Sequence, residues 1–392
     1  MISFKNFKKF LFTFYNILKI FVITSVKKKK NNSIKIFFFY FPVKAYQENI
    51  VELGESIAKS KNFEVYYIYN SNTKVELRLK KNSLYLDFNY IRFIPFGNFF
   101  LNKINFMLSS YVIYTFPPKT KNIYICHDIY DAPMAKKYIE KKIFIELGKL
   151  DYIFVSSDIV KDYFEKGLSK NIMNKSKRKV EIVNTGYLKL DHVHKKINLR
   201  KVKEDSILIA PTASKFYSDA NLSKKLDKMI NLLLGEKYKI IYRPHPIDLT
   251  IKGDINLTNL IIEKFKDFPN FEFDISTSYI ESYRKSKFLI TDFSGTAYTY
   301  AFSTEKPVIF YSSLNKLSFI KEIKSMYYFK DRKVVGYVMT NIKDLLKKVK
   351  EIDKKKIILK TKIKNLRKKR IKYFNKSLII TKKTIQNFIT FK

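Results

Sequence analysis

Two of the four histidines stand where an apolar run ends, next to residues that could work with them. Ile241-Tyr242-Arg243-Pro244-His245-Pro246 closes such a run. Pro244 and Pro246 cannot extend a sheet and hold His245 in an extended turn. A guanidinium at 243 suits phosphate oxygens, and an imidazole at 245 can donate a proton or a hydrogen bond. Tyr124-Ile125-Cys126-His127-Asp128 ends a second run. There His127 could act as a general base, with Asp128 or Asp131 fixing its tautomer. A third segment, Leu289 to Tyr298, passes from an apolar strand through Asp292-Phe293-Ser294-Gly295-Thr296 into a helix. The free N–H groups and positive dipole end of a helix start bind phosphate, Ser294 and Thr296 add hydroxyls, and Gly295 permits close approach. An ordinary N-cap made by Ser294 or Asp292 would read the same way.

Weaker pieces share the pattern. Ala210-Pro211-Thr212, Val155-Ser156-Ser157-Asp158 and Thr185-Gly186-Tyr187 are all strand ends, where Ser and Thr commonly cap helices. Glu305, before Lys306-Pro307, could reach a ribose or substrate hydroxyl, or serve as a solvated loop acid. The single Cys126 excludes an intramolecular disulfide and a multi-cysteine zinc site. His192 and His194 fall in a basic stretch apart from the other two histidines, so no metal or other cofactor is expected.

Strand ends need strands. From Ser33 onward, short apolar runs alternate with longer polar, periodic segments, as in a parallel sheet with crossover helices. Strands are expected at 34–41, 63–69, 90–95, 111–115, 122–126, 152–156 and 180–184, with helices at 46–59 and 134–147. Lys189 to Glu204 shows no clear period and is read as a connection. A second series follows, with strands at 206–211, 238–243, 271–274, 288–291, 307–311 and 334–339 and helices at 220–234, 257–265, 278–285, 295–303 and 342–352. The expected organisation is an N-terminal amphipathic segment (1–32), two doubly wound α/β domains (33–190 and 205–345) and a basic helical tail (346–392). Open sheets of this kind bind ligands beyond the carboxyl ends of their strands, where all three segments fall.

The charge points to an anionic partner. Lys and Arg number 77 against 35 Asp and Glu, a formal net of +42, which favours nucleic acid, anionic lipid or a phosphate-rich polymer and its nucleotide donor. No nucleic-acid-binding module is present and the basic residues are spread along the chain, so specific nucleic-acid binding is not expected. Phe10 to Val26 is apolar, interrupted by Lys19 and flanked by Lys5, Lys8, Lys9 and Lys27 to Lys30. It is short for a spanning helix, which needs about 20 apolar residues, and no small-residue cleavage pattern follows it. Such a helix would lie at the anionic cytoplasmic face of a membrane as a peripheral anchor, or pack on the protein's own body.

In order, His127, Ser156-Ser157, Gly186-Tyr187 with Asp191, Ala210-Pro211-Thr212, Arg243 to Pro246, Asp292 to Gly295 and Lys306-Pro307 to Tyr311 resemble the motifs of the CDP-glycerol glycerophosphotransferase family, the teichoic acid polymerases and primases. The resemblance runs from about Tyr124 to Tyr311. It implies a GT-B fold, with two Rossmann-like domains facing a central cleft, and an enzyme that moves glycerol phosphate or a related polyol phosphate from a CDP-activated donor to a lipid-linked cell-envelope polymer. It also implies His127 as base toward the acceptor hydroxyl, His245 and Arg243 on the donor phosphates, and Ser294 to Thr296 around the diphosphate. Asp128 stands where the family usually has Gly, Gly295 replaces a Ser, and Thr299 occupies a position where an acid is common. A GT-B glycosyltransferase using a nucleotide sugar for capsule synthesis is the alternative.

Overall fold

The computed structural model describes residues 4–30, 33–41, 48–69, 82–86, 94, 97–111, 117, 119–130, 137–172, 179–216, 220–249, 257–276, 278–311 and 325–390. The chain forms two compact units. One comprises Met1–His127, Lys136–Lys189 and Asn375–Lys392, the other Asp128–Ala135 and Leu190–Phe374. The stretch from 346 to 392, read from sequence as one basic tail, divides between them: the Leu345–Arg370 helix belongs to the second unit and the Ser377–Thr390 helix to the first.

The first unit holds β1 (Lys35–Phe41), β2 (Phe63–Tyr69), β3 (Ser83–Tyr85), β4 (Phe106–Ser109), β5 (Lys121–Ile125), β6 (Tyr152–Val155) and β7 (Glu181–Asn184). They form a parallel seven-stranded sheet in the order β3-β2-β1-β4-β5-β6-β7. Successive side chains of a strand point to opposite faces, so the unbroken apolar run of β1 supplies two cores. Phe37, Phe39 and Phe41 pack with Ile50, Leu53, Ile57, Tyr67 and Ile385 on one face. Ile36, Phe38 and Tyr40 pack with Ile17 and Ile20 on the other. Phe388 of the C-terminal helix stacks on Tyr152 with ring centroids 3.7 Å apart.

The second unit holds β8 (Ser206–Ile209), β9 (Lys239–Tyr242), β10 (Phe271–Phe273), β11 (Ser286–Thr291), β12 (Val308–Tyr311) and β13 (Gly336–Met339). This sheet is also parallel, in the order β10-β9-β8-β11-β12-β13. The connections run outward in both directions from its centre, so the order reverses between β8 and β11. That reversal is the switch point at which doubly wound sheets bind ligands. Both units therefore have the α/β architecture expected of a GT-B protein.

Three departures from the sequence reading have clear causes. The stretch 189–204 was read as an aperiodic connection, yet Leu188–Ile197 is a helix burying Leu188, Leu190, Val193 and Ile197, and it also buries His192. Lysines and histidines between those positions masked the period. Strand β4 lies at Phe106–Ser109, ahead of the expected 111–115, and β3 went unrecognised because three residues are too few to show alternation. The expected strands 90–95 and 111–115, like Asp131, fall largely outside the described residues.

The N-terminal segment is a helix, Phe4–Lys30, docked on the first sheet by one face. Thr13, Asn16, Ile17, Ile20 and Thr24 are buried, Lys27 pairs with Glu64 at 2.8 Å, and Lys103 donates to Ser25 Oγ at 2.8 Å. Phe7, Leu11, Phe12, Tyr15, Val22 and Val26 remain exposed. At 100° per residue these six share one side of the helix, opposite the docked side. Residues 10–30 are long and apolar enough to cross a membrane by length and composition.

Candidate functional site

The switch point of the second unit is organised by one carboxylate. Asp292 follows β11, is wholly buried, and accepts hydrogen bonds from the backbone amides of Thr212 (2.8 Å), Leu222 (2.8 Å) and Phe293 (2.7 Å). It therefore ties the loop after β8 to the turn after β11. Burial pushes its pKa above the ordinary carboxylate value, although the three amides and Arg332 pull the other way. The sequence reading offered this carboxylate to the donor. The structure instead assigns its oxygens to the backbone, so its part is to hold Thr212 and the Ser294 turn in place.

From that turn the Thr296–Thr304 helix starts. Gly295 is its N-cap, and the Ser294 hydroxyl accepts from the Thr296 amide at 3.3 Å. Tyr328 donates its hydroxyl to the Ser294 carbonyl at 3.1 Å, fixing the turn from behind. A Cβ at Gly295 would lie 2.9 Å from Asp128 Oδ1. Two of the three positions at which the sequence departs from the motif it resembles thus meet: the Asp128 carboxylate fills the space that a side chain at 295 would occupy.

His245, after β9, is half-buried. Its Nδ1 accepts from the Ile247 amide at 3.2 Å, which selects the neutral tautomer carrying hydrogen on Nε2. Burial lowers its pKa below the usual imidazole value, Asp248 opposes this, and Lys215 adds to it. The ring is thus a neutral hydrogen-bond donor at physiological pH. Asp248 in turn accepts from the Ser214 amide and hydroxyl, securing the loop beyond Thr212.

Arg243, read from sequence as suited to phosphate oxygens, has partners within the fold. Its Nη1 pairs with Asp274 at 2.6 Å and its Nη2 donates to the Ser276 carbonyl at 2.8 Å, so the fork braces the strand ends of β9 and β10. For Asp274, burial opposes ionisation, but hydrogen bonds from Ser276 and Ser282 and the Arg243 charge outweigh it, and the pKa falls. A carboxylate with a depressed pKa stabilises the fold above its unfolded pKa, and this contribution is lost as pH drops through the folded value. Arg243→Leu should cost about 2 kcal/mol at neutral pH and much less in acid. Urea denaturation at both pH values checks this, and an equal cost at each would contradict it.

Glu305 stands at the other end of the Thr296–Thr304 helix from Ser294, roughly 13 Å along its axis. It takes up a left-handed conformation there and pairs with Arg367 at 2.7 Å, so the structure does not bring it to the switch point. Lys306, from the same motif, is buried. Its ammonium donates to the carbonyls of Tyr283, Arg284 and Ser286 at 2.7–3.0 Å, closing the carboxyl end of the Ile280–Lys285 helix. Arg332, wholly buried behind the Ser294 turn, was not singled out from sequence at all.

In the first unit, His127 follows β5. Its Nδ1 lies 3.2 Å from the Tyr124 hydroxyl, and its carbonyl accepts from the Tyr187 hydroxyl. Gly186, with φ 82°, makes the left-handed turn that delivers Tyr187 from the end of β7. Ser157 is a helix cap, accepting from the Val160 amide. Thus His127 is carried by one unit, while Asp128, Thr212, His245 and the Asp292–Thr296 segment belong to the other. Among the described residues, no cluster of three or more His, Cys, Asp or Glu is placed to hold a metal ion.

A profile described as CDP-Glycerol:Poly(glycerophosphate) glycerophosphotransferase matches residues 20–378. The chain belongs to this glycerophosphotransferase family. Minor teichoic acid biosynthesis protein GgaB of Bacillus subtilis (strain 168) is 25% identical over 337 residues, which cover 75% of this chain and 33% of GgaB, so the chain spans about a third of that relative's length. Among solved structures, the wall teichoic acid polymerase TagF superposes over 100% of this chain and 99% of its own, with a TM-score of 0.62 at 18% identity. UDP-GlcNAc 2-epimerase from Methanocaldococcus jannaschii in complex with UDP-GlcNAc and UDP follows at 0.58 and 13%, covering 91% of this chain and 99% of its own. These likenesses give the glycerophosphotransferase chain its fold relatives. Within that fold, the matched segment takes in every strand of both sheets.

Proposed function

We propose that this chain transfers glycerol phosphate, or a related polyol phosphate, from a CDP-activated donor to the hydroxyl end of a lipid-linked cell-envelope polymer. Family membership across residues 20–378 carries the reading, and the strand-end chemistry supports it. In the proposed reaction His127 takes the proton of the acceptor hydroxyl through Nε2. The oxygen attacks the phosphorus that bears the polyol, the bond from that phosphorus to the bridging oxygen breaks, and CMP leaves with that oxygen. The His245 Nε2–H and the start of the Thr296–Thr304 helix face the charge developing on the leaving group. No metal is assigned a step, so CMP release should persist in EDTA. The direct test is incubation of the purified protein with CDP-glycerol and a lipid-linked glycerol phosphate acceptor. CMP release dependent on the acceptor is expected. Nucleotide release from a UDP-sugar, with none from CDP-glycerol or CDP-ribitol, would replace the reading by sugar transfer.

The same reading puts the protein at the cytoplasmic face of the membrane, held peripherally by the exposed side of the Phe4–Lys30 helix. Six outward apolar side chains beside lysines suit an anionic bilayer surface. Deleting the helix would also remove Ile17 and Ile20 from the core, so the informative change is confined to the outer side. Replacing Leu11, Tyr15, Val22 and Val26 by Ser should abolish flotation with phosphatidylglycerol vesicles and leave the melting temperature unchanged. Undiminished flotation would remove this helix from membrane binding.

A further inference from the structure

Arg332 is 1% exposed and sits among aromatic rings, with Cζ 5.2 Å from the centroid of Phe293, 4.8 Å from Phe310, 4.8 Å from Tyr328 and 4.4 Å from Phe329. Its Nη2 donates to the Asp292 carbonyl at 2.9 Å, while Nε and Nη1 meet no acceptor among the described residues. A guanidinium is always charged, and taking one out of water costs several kcal/mol unless its hydrogens are satisfied. The surrounding rings return part of that through cation–π contacts. An unbranched apolar side chain in the same box would make similar contacts at no desolvation cost. The buried Asp292 carboxylate, itself held by three backbone amides, answers part of that charge. The position of Arg332 says where the rest acts, because both Arg332 and its neighbour Tyr328 touch the backbone of the turn, at Asp292 and Ser294, that opens the Thr296–Thr304 helix.

We infer that Arg332 is a positioning residue of the donor site, supplying from behind the Asp292–Ser294 turn the positive potential that lets the following helix start hold a diphosphate. The inference rests on the reading of that helix start as the donor-phosphate cradle. With little water between them, the charge acts on the turn at low dielectric, and its field adds to that of the helix dipole. It also accounts for the Asp128 carboxylate lying against Gly295, since a local positive field favours an anionic group there before any ligand arrives.

The test uses the full chain, with inorganic pyrophosphate and CDP as calorimetric probes, and the variants Arg332→Met and Arg332→Lys. Arg332→Met should melt no lower than the parent yet bind both probes at least about tenfold more weakly. Arg332→Lys, which keeps the charge, should retain most of the affinity. In turnover, Arg332→Met should raise KM for the donor with kcat nearly unchanged, the mark of lost ground-state binding. Unaltered probe affinity in Arg332→Met, or failure of the parent to bind either probe, would overturn the inference. If Arg332→Met melts early, Arg332→Lys decides: binding retained with the charge supports the role, and binding lost despite the charge refutes it. Arg332-dependent pyrophosphate binding in a protein that releases no CMP from CDP-glycerol would leave this inference standing and remove the functional reading instead.

Discussion

His127→Ala is expected to lower acceptor-dependent CMP release by about 10²- to 10⁴-fold, the usual contribution of a positioned general base. The melting temperature should stay close to that of the parent. The loop that carries His127 is held through its backbone, by the Tyr187 hydroxyl on its carbonyl, and the imidazole itself engages the Tyr124 hydroxyl. Truncation therefore removes a proton acceptor without unfastening the loop. Tyr124→Phe removes the hydroxyl 3.2 Å from Nδ1 and keeps the imidazole, so it separates this role from a structural one by retaining most of the CMP release that His127→Ala loses. His245→Ala should behave differently. Burial lowers the His245 pKa, so its ring stays a neutral donor through the working range, and its loss, about 10²- to 10³-fold, should vary little above neutral pH. Full activity in both variants would remove the two histidines from the mechanism.

Much of this was legible in residue order. The run Ile34 to Phe41, apolar but for Lys35, reads as a buried strand, and β1 is one, with odd and even positions feeding two cores. The Arg-Pro-His-Pro and Asp-Phe-Ser-Gly-Thr segments read as strand ends, and they follow β9 and β11. Less legible was which partner each polar group would take. Arg243 and Asp274 lie 31 residues apart and meet only because β9 and β10 are neighbours. The Arg332 box draws on Phe293, Phe310, Tyr328 and Phe329, from three separate stretches, and no local period announces it. The helix at Leu188–Ile197 did carry a signal, since Leu190, Val193 and Ile197 are spaced to share one helical face, but the lysines and histidines between them obscured it. Pairing between strands, more than local propensity, decided what sequence reasoning could reach.

The largest structural effect should come from Asp292→Ala. Three buried amides, of Thr212, Leu222 and Phe293, would lose their acceptor at once. An unsatisfied buried donor costs about 1–3 kcal/mol, so a total of roughly 4 kcal/mol is reasonable after partial relaxation. Asp292→Asn should fare little better, because its NH₂ group would point hydrogens at one of those amides. The pH dependence has the opposite sign to that of the Arg243–Asp274 pair. Burial raises the Asp292 pKa above its unfolded value, so the folded state binds the proton more readily, and this group favours folding most in acid and progressively less as pH rises through the folded pKa. The cost of Asp292→Ala, measured by urea denaturation, should therefore be greater near pH 4 than near pH 7, whereas that of Arg243→Leu holds over this interval and shrinks only at lower pH, as the depressed Asp274 pKa is approached. Because Thr212 and Ser294 both lose their anchor, donor binding should fail in Asp292→Ala even at temperatures where the protein remains folded. A variant that loses stability but binds CDP with parental affinity would show that the loops at the switch point hold their geometry without this carboxylate.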